Sequence, residues 1–212
     1  MKKTIITIIK LLVIIVFFAS CKSKTYLLTN NDYTTGVDFT KGKWLLNYLD
    51  YPAYKNNKLK TTTTSFFNEQ LNDRYFYRET SSELLIPQQI PLNPSKQKLR
   101  ELKTGTGFDY FININSKKNK DELNGLALYE DENSEGKNQS EVTIEIYDLN
   151  LQEIIYKQKA IGTDHAKQEK LPWDQKSRKL IDNINFHSST NKLMLGSLKK
   201  VLKDLKNKSI KN

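Results

Sequence analysis

The chain has 212 residues, with 34 Lys+Arg against 24 Asp+Glu, a formal charge of +10 and a pI near 9.4. That length accommodates one domain with a sizeable core. A composition of 37% hydrophobic residues, 8 Gly and 5 Pro excludes a collagen-like, low-complexity or wholly disordered chain. One cysteine excludes an intrachain disulfide framework.

Residues 1–20 read MKKTIITIIKLLVIIVFFAS. Lys2 and Lys3 give a positive start. The purest apolar run, Leu11 to Phe18, is far shorter than the roughly 20 residues a bilayer span needs. It suits the hydrophobic region of a secretory signal, followed by the small residues Ala19 and Ser20 and then Cys21. The plainer alternative is an uncleaved anchor with an incidental cysteine. Removal of residues 1–20 takes away Lys2, Lys3 and Lys10 and lowers the charge from +10 to +7. Residues 21–38 are polar and without periodicity. They read as a tether of about 17 residues reaching roughly 20–25 Å. Residues 39–206 then form a single domain, and 207–212 a basic tail.

Within the domain, Lys43 to Asp50 reads as a strand. A helix is expected to start among Thr61–Thr64, with Phe67 and Leu71 on one face. Segments 74–78 and 82–86 read as extended, the second ending at Pro87. Asn93-Pro94 suits a helix start, Leu99 and Leu102 share a face, and Gly105 suits its end. Phe108 to Asn115 alternates, placing Phe108, Tyr110, Ile112 and Ile114 opposite Asp109, Phe111 and Asn113. Leu123 to Glu130 reads as a strand and 136–139 as a turn. Val142, Ile144 and Ile146 mark a half-buried strand, 148–152 a hairpin loop, and 153–160 its return. Residues 165–185 read as a loop with a short helix at 177–184. Ser188 or Ser189 caps a last helix carrying Met194, Leu198, Val201 and Leu205 on one stripe. The sum is an α+β fold: a mixed sheet of five to six strands with two to three helices packed on one face.

Phe18-Ala19-Ser20-Cys21 resembles the lipobox of bacterial lipoproteins, with Phe18 in place of the usual Leu. The resemblance implies cleavage before Cys21, a diacylglycerol on its sulfur and an acylated amino terminus. Such chains anchor stably, since each buried CH₂ contributes about 0.8 kcal/mol. Lys22, where inner-membrane lipoproteins carry Asp, implies the outer membrane. Lys22-Ser23-Lys24, the opposite of an acidic export stretch, implies its periplasmic side. The element order resembles a group of envelope proteins: the amino-terminal domain of the TolB translocation protein, the lipoprotein activators of penicillin-binding proteins, and the soluble part of the curli secretion lipoprotein. Thr104 to Ile112 and Val142 to Leu149 carry that likeness. It implies an adaptor or assembly component with an envelope protein partner.

Candidate chemistry is sparse. His165 with Glu169 has helical metal-ligand spacing, but the region reads as loop and no second histidine is near, so a solvated histidine is favoured. His187-Ser188-Ser189 lacks a nucleophile elbow and suits a helix cap better than a hydrolase. Thr104-Gly105-Thr106-Gly107 precedes a strand and is no dinucleotide fingerprint. No catalytic residue, cofactor or metal is assigned, and no enzyme activity is expected. The Trp44, Tyr48, Tyr51 and Tyr54 cluster reads as a core strand and its flank, or as a partner surface. Charge is more informative. Residues 188–212 hold seven lysines and one aspartate, and residues 121–148 nine acids and one lysine. The basic stretch suits a solvated helix face, or docking on lipid headgroups, polysaccharide or an acidic partner. Nucleic acid is not an expected partner of an envelope protein. The expected function is a non-catalytic, lipid-anchored periplasmic adaptor of a transport, secretion or cell-wall assembly. The alternative is a small-ligand or glycan-binding lipoprotein with a pocket lined by Tyr110, Phe111 or Tyr147.

Overall fold

The structure is a computed structural model describing residues 24–34, 36–51, 57–80, 90–123, 126–127, 136–165 and 185–210. The signal-like segment 1–20, Cys21, Tyr54, Glu169 and the strand and helix expected at 82–86 and 177–184 lie outside the described residues.

Eight strands and three helices are present among them. In chain order they are β1 Thr25–Thr34, β2 Trp44–Leu46, α1 Asn57–Leu71, β3 Tyr75–Tyr77, α2 Lys96–Thr106, β4 Tyr110–Asp121, β5 Leu126–Ala127, β6 Lys137–Asp148, β7 Glu153–His165, β8 Asn185–Phe186 and α3 Thr190–Lys208. Six strands make one mixed sheet in the order β1-β7-β6-β4-β2-β3. The β4, β6, β7 and β1 side is an antiparallel meander, while β2 is parallel to both β3 and β4. The α+β class, the mixed sheet and the helix number follow expectation.

The parallel half decides where the helices go. From β2 the chain crosses through α1 to β3, then returns past β2 through α2 to β4. Right-handed crossovers travelling in opposite directions place their helices on opposite faces. Accordingly α1 and α3 cover one face and α2 the other. Leu59, Phe67 and Leu71 of α1 and Met194, Leu198, Val201 and Leu205 of α3 pack on Trp44, Ile112, Ile114, Val142, Ile144 and Ile146. Leu99 and Leu102 of α2 pack on Leu45, Phe111, Tyr147 and Leu149. Two helices therefore share one face, as expected, and the third lies on the other. Phe108 also joins the α2 side, because it precedes the strand and its pleat. Each of these side chains, fully buried, contributes about 1.5–3 kcal/mol.

Several boundaries differ from expectation for local reasons. Residues 25–34, expected in the tether, form edge strand β1, with Thr25 opposite Thr163 and Thr34 opposite Tyr156. Tyr26 and Leu28 point one way along this strand, and Leu28 joins the core. Helix α1 starts four residues before the threonine run, so Thr61–Thr64 are interior, and the Thr64 hydroxyl donates back to the Lys60 carbonyl at 3.0 Å. Ser95, not Asn93, caps α2, its hydroxyl accepting from the Lys98 amide. Gly107, not Gly105, ends that helix, at φ 71°, a left-handed conformation glycine adopts without strain. Residues 137–139 belong to β6 rather than a turn, and within the strand expected at 123–130 the described residues 126–127 form β5, which pairs with β8. Helix α3 runs to Lys208, two residues into the expected tail, and the Ile210 amide donates to the Val37 carbonyl.

Candidate functional site

Polar side chains inside apolar strands mark the first site. Asn47 follows β2, and its amide donates to the Ile112 carbonyl, which sets Asn47 beside Asn113 of β4. Asn113 lies opposite Glu145 of β6, and Glu145 opposite Lys157 of β7. One row, Asn47–Asn113–Glu145–Lys157, thus runs from the end of β2 across β4, β6 and β7 on the α2 face. Residues 90–93 lie over it. The Asn47 amide nitrogen donates to the Ile90 carbonyl at 2.9 Å, and that of Asn113 to the Pro91 carbonyl at 2.8 Å. The Asn93 amide donates to Glu145 Oε2 at 2.8 Å, and the Tyr147 hydroxyl donates to the same oxygen at 2.5 Å. Lys157 Nζ stands 2.8 Å from Glu145 Oε1.

Glu145 is fully buried, whereas Lys157 keeps 27% of its side chain in solvent. Burying a carboxylate this deeply is costly unless it is paired and hydrogen-bonded. Here an ammonium, a phenol and a backbone amide share that task. Burial pushes the Tyr147 hydroxyl well above its ordinary pKa, and its bond to Glu145 adds to the shift. Tyr147 is therefore a donor at any physiological pH. Asn93 adopts a left-handed backbone, φ 55°, a region Asn tolerates better than most residues. The row acts as a polar staple that fixes an irregular segment on the sheet.

The second site lies at the start of β1. Asp164, buried at the end of β7, accepts from the Ser188 amide at 2.6 Å, and His187 Nδ1 stands 4.0 Å from its other oxygen. Asn138 donates to the Ser188 and Leu123 carbonyls. These contacts tie the entry of α3 to β6 and β7. The Ser189 hydroxyl accepts from the Lys192 amide as a helix cap, the role expected for Ser188 or Ser189. Beside this corner, the Tyr26 ring fills a slot made by two glycines. A Cβ on Gly196 of α3 would lie 2.2 Å from Tyr26 Cζ, and one on Gly162 of β7 would lie 3.0 Å from Tyr26 Cε1. Lys24, one residue before β1, meets Lys192; burial chiefly, and then that neighbouring charge, lowers its pKa.

From Lys192 a lysine stripe runs along α3. Lys192, Lys199, Lys203 and Lys206 recur at seven, four and three residues, all exposed, opposite the buried Met194, Leu198, Val201 and Leu205. Lys206 pairs with Glu69 at 3.2 Å. Among the described residues, no carboxylate pairs with Lys192, Lys199, Lys200 or Lys203.

The other sequence candidates are dispersed. His165 is exposed at the end of β7, opposite Lys137. Among the described residues, no three His, Cys, Asp or Glu side chains gather as a metal site. Trp44 is fully buried and stacks on Tyr110 at 4.2 Å, while the Tyr51 hydroxyl bonds to the Thr63 hydroxyl at 2.6 Å, and Tyr48 remains exposed. Phe111 and Tyr147 are core residues on the α2 face and Tyr110 lies on the other, so these three do not line one pocket. Alternation along β4 sends neighbouring rings to opposite sides. The Glu145 row and the Tyr26 slot were missed by sequence reasoning. Asn113 and Glu145 within runs of Ile were the available signal for the first, and Gly196 within an amphipathic helix for the second.

No family model matches the chain, and no curated protein matches it. Solved structures give distant likenesses. The PelC dodecamer from Paraburkholderia phytofirmans aligns at 11% identity and a TM-score of 0.41 over 89% of this chain and 100% of that one. Lipoprotein GNA1162 from Neisseria meningitidis aligns at 10% identity and 0.40, over 79% and 99%. The hypothetical protein CT253 from Chlamydia trachomatis aligns at 11% and 0.38, over 79% and 97%. Likeness at this level assigns neither family nor function. Among the described residues, no helix is long and apolar enough to cross a membrane.

Proposed function

We propose that the protein is a lipid-anchored accessory subunit of an envelope assembly, tethered through Cys21 to the outer membrane and facing the periplasm. One observation carries this reading. Four residues after the lipobox-like Cys21, the chain enters β1, an edge strand of ten residues built into the main sheet. Among the described residues β1 has β7 on one side and no strand on the other. Its outer row of backbone groups, with the exposed Leu27 beside it, is a template for strand addition by a partner. The docking edge thus begins four residues after the proposed anchor.

Cross-linking in intact cells followed by mass spectrometry tests this, with Cys21→Ser alongside. A reproducible envelope partner, lost in the variant together with membrane fractionation, is expected. Unchanged membrane fractionation of Cys21→Ser would refute the anchor. Absence of any partner while the protein stays membrane-bound would refute the accessory role.

A further inference from the structure

We infer that the lysine stripe of α3 lies on the anionic phospholipid surface next to the anchor, so that the domain rests on its side against the membrane. The inference depends on the lipid-anchor reading above and adds an orientation to it. The first argument is reach. A fully extended chain covers at most about 3.3–3.6 Å per residue, so Lys24 lies within about 11 Å of the Cα of Cys21 and Thr25 within about 14 Å. β1 belongs to the sheet from Thr25 onward, so no longer tether lets the domain drift away.

The second argument is where that short link ends. Lys24 meets Lys192, and Tyr26 sits in the glycine slot of α3. The anchored end of β1 and the first lysine of the stripe are therefore neighbours. From Lys192 to Lys206 the helix rises about 21 Å at 1.5 Å per residue, along a line that begins beside Lys24. The third argument is charge. Lys192, Lys199 and Lys203 have no carboxylate partner among the described residues, and Lys24 and Lys192 crowd each other. An anionic surface supplies the missing counter-charge. Each lysine brought to such a surface favours the bound arrangement by about fivefold, so these three favour it by on the order of 100-fold. An acidic protein could offer the same sign of charge, but the lipid surface is the anion that the short link already holds in place.

The sole cysteine makes the test direct, because lipidation blocks it and leaves any introduced thiol unique. The full chain, processed in cells, is reconstituted by its own anchor into vesicles of phosphatidylcholine alone, or with about a third phosphatidylglycerol. Lys199→Cys on the stripe and Leu151→Cys at the exposed hairpin tip are compared for reaction with a water-soluble thiol reagent. Labelling at position 199 is expected to slow at least tenfold in anionic vesicles relative to neutral ones, with position 151 unchanged. Lys192→Glu with Lys203→Glu should abolish that protection. Equal labelling of position 199 in both vesicles overturns the proposal while co-flotation with neutral vesicles still upholds the anchor. Failure to co-float with neutral vesicles overturns both. Protection in cell envelopes but not in purified vesicles also overturns it, and assigns the stripe to an acidic protein.

Discussion

Gly196→Ala is a substitution whose expected sign depends on Tyr26. In a helix interior that change ordinarily stabilises by about 1 kcal/mol, since alanine loses less backbone entropy. Here the added Cβ would lie 2.2 Å from Tyr26 Cζ and 2.3 Å from both its Cε1 and hydroxyl oxygen. No adjustment of a few tenths of an ångström relieves such an overlap, so the ring must leave its slot or α3 must move away from β1. Overpacking of this kind costs about 1–3 kcal/mol, which exceeds the helical gain. A net loss of up to about 2 kcal/mol is expected, and for a domain of this size up to about 8 °C in Tm. In a Tyr26→Ala background the slot is empty, and Gly196→Ala should stabilise by up to about 1 kcal/mol. Urea denaturation of the four members of the cycle reads the coupling. Amide exchange then reads where the cost falls, with β1 losing protection before β4 or β6. A stabilising Gly196→Ala in the wild-type background would refute the packing of Tyr26 and, with it, the attachment of β1 to α3.

Two further predictions concern the polar contacts. Glu145→Ala leaves the Asn93 amide and the Tyr147 hydroxyl without their acceptor and the Lys157 ammonium without its ion-pair partner, a loss of about 3–5 kcal/mol or about 6–20 °C in Tm; the double change Glu145→Met with Lys157→Met should cost distinctly less, and equal melting of single and double variants would contradict the staple. Acid should loosen residues 38–43, because two carboxylates hold them. Asp38, bonded to Lys41 and Thr40, has its pKa lowered to about 2, and Asp109, bonded to Lys103 and to the Lys43 amide, is lowered as well. Both folded values lie below the unfolded value of about 3.9. Their contribution is therefore complete above about pH 4 and is lost as pH falls towards 2. Stability curves of the wild type and of Asp38→Asn with Asp109→Asn should converge over that window; parallel curves would show that these contacts do not respond to pH.

What was legible in the sequence was what periodicity encodes locally. The alternation of Ile112, Ile114, Val142, Ile144 and Ile146, the stripe from Met194 to Leu205 and the hairpin at 148–152 all stand where the pattern puts them. What was not legible came from distant partners. Thr25–Thr34 looks like a tether because its polar residues have no period of their own. They gain one only from β7, more than a hundred residues later, and from the glycines that admit Tyr26. The face taken by α2 depends on β4 returning past β2, which no local pattern records. Glu145 alternates with isoleucines as a solvent-facing residue would. Residues 90–93, over fifty positions earlier, close over it and make it buried.

On the proposed membrane orientation, helix α3 joins stability to attachment while keeping the two separable. Its inner face carries Met194, Leu198, Val201 and Leu205 at the centre of the core, and Ser188, just before its cap, is tied by Asp164 and Asn138 to the sheet. Its outer face carries lysines that touch little of the protein, and surface substitutions at such places change stability by no more than about 0.5 kcal/mol. Charge reversal at Lys192 and Lys203 should therefore leave melting nearly unchanged while changing how the domain lies on the bilayer. A change at Leu198 should do the opposite. β1 connects the two properties, since the strand that follows the proposed anchor is gripped by the same helix through Gly196. Loosening that grip returns residues 25–34 to the flexible tether that their composition suggests. The domain would remain folded and anchored but lose its fixed orientation.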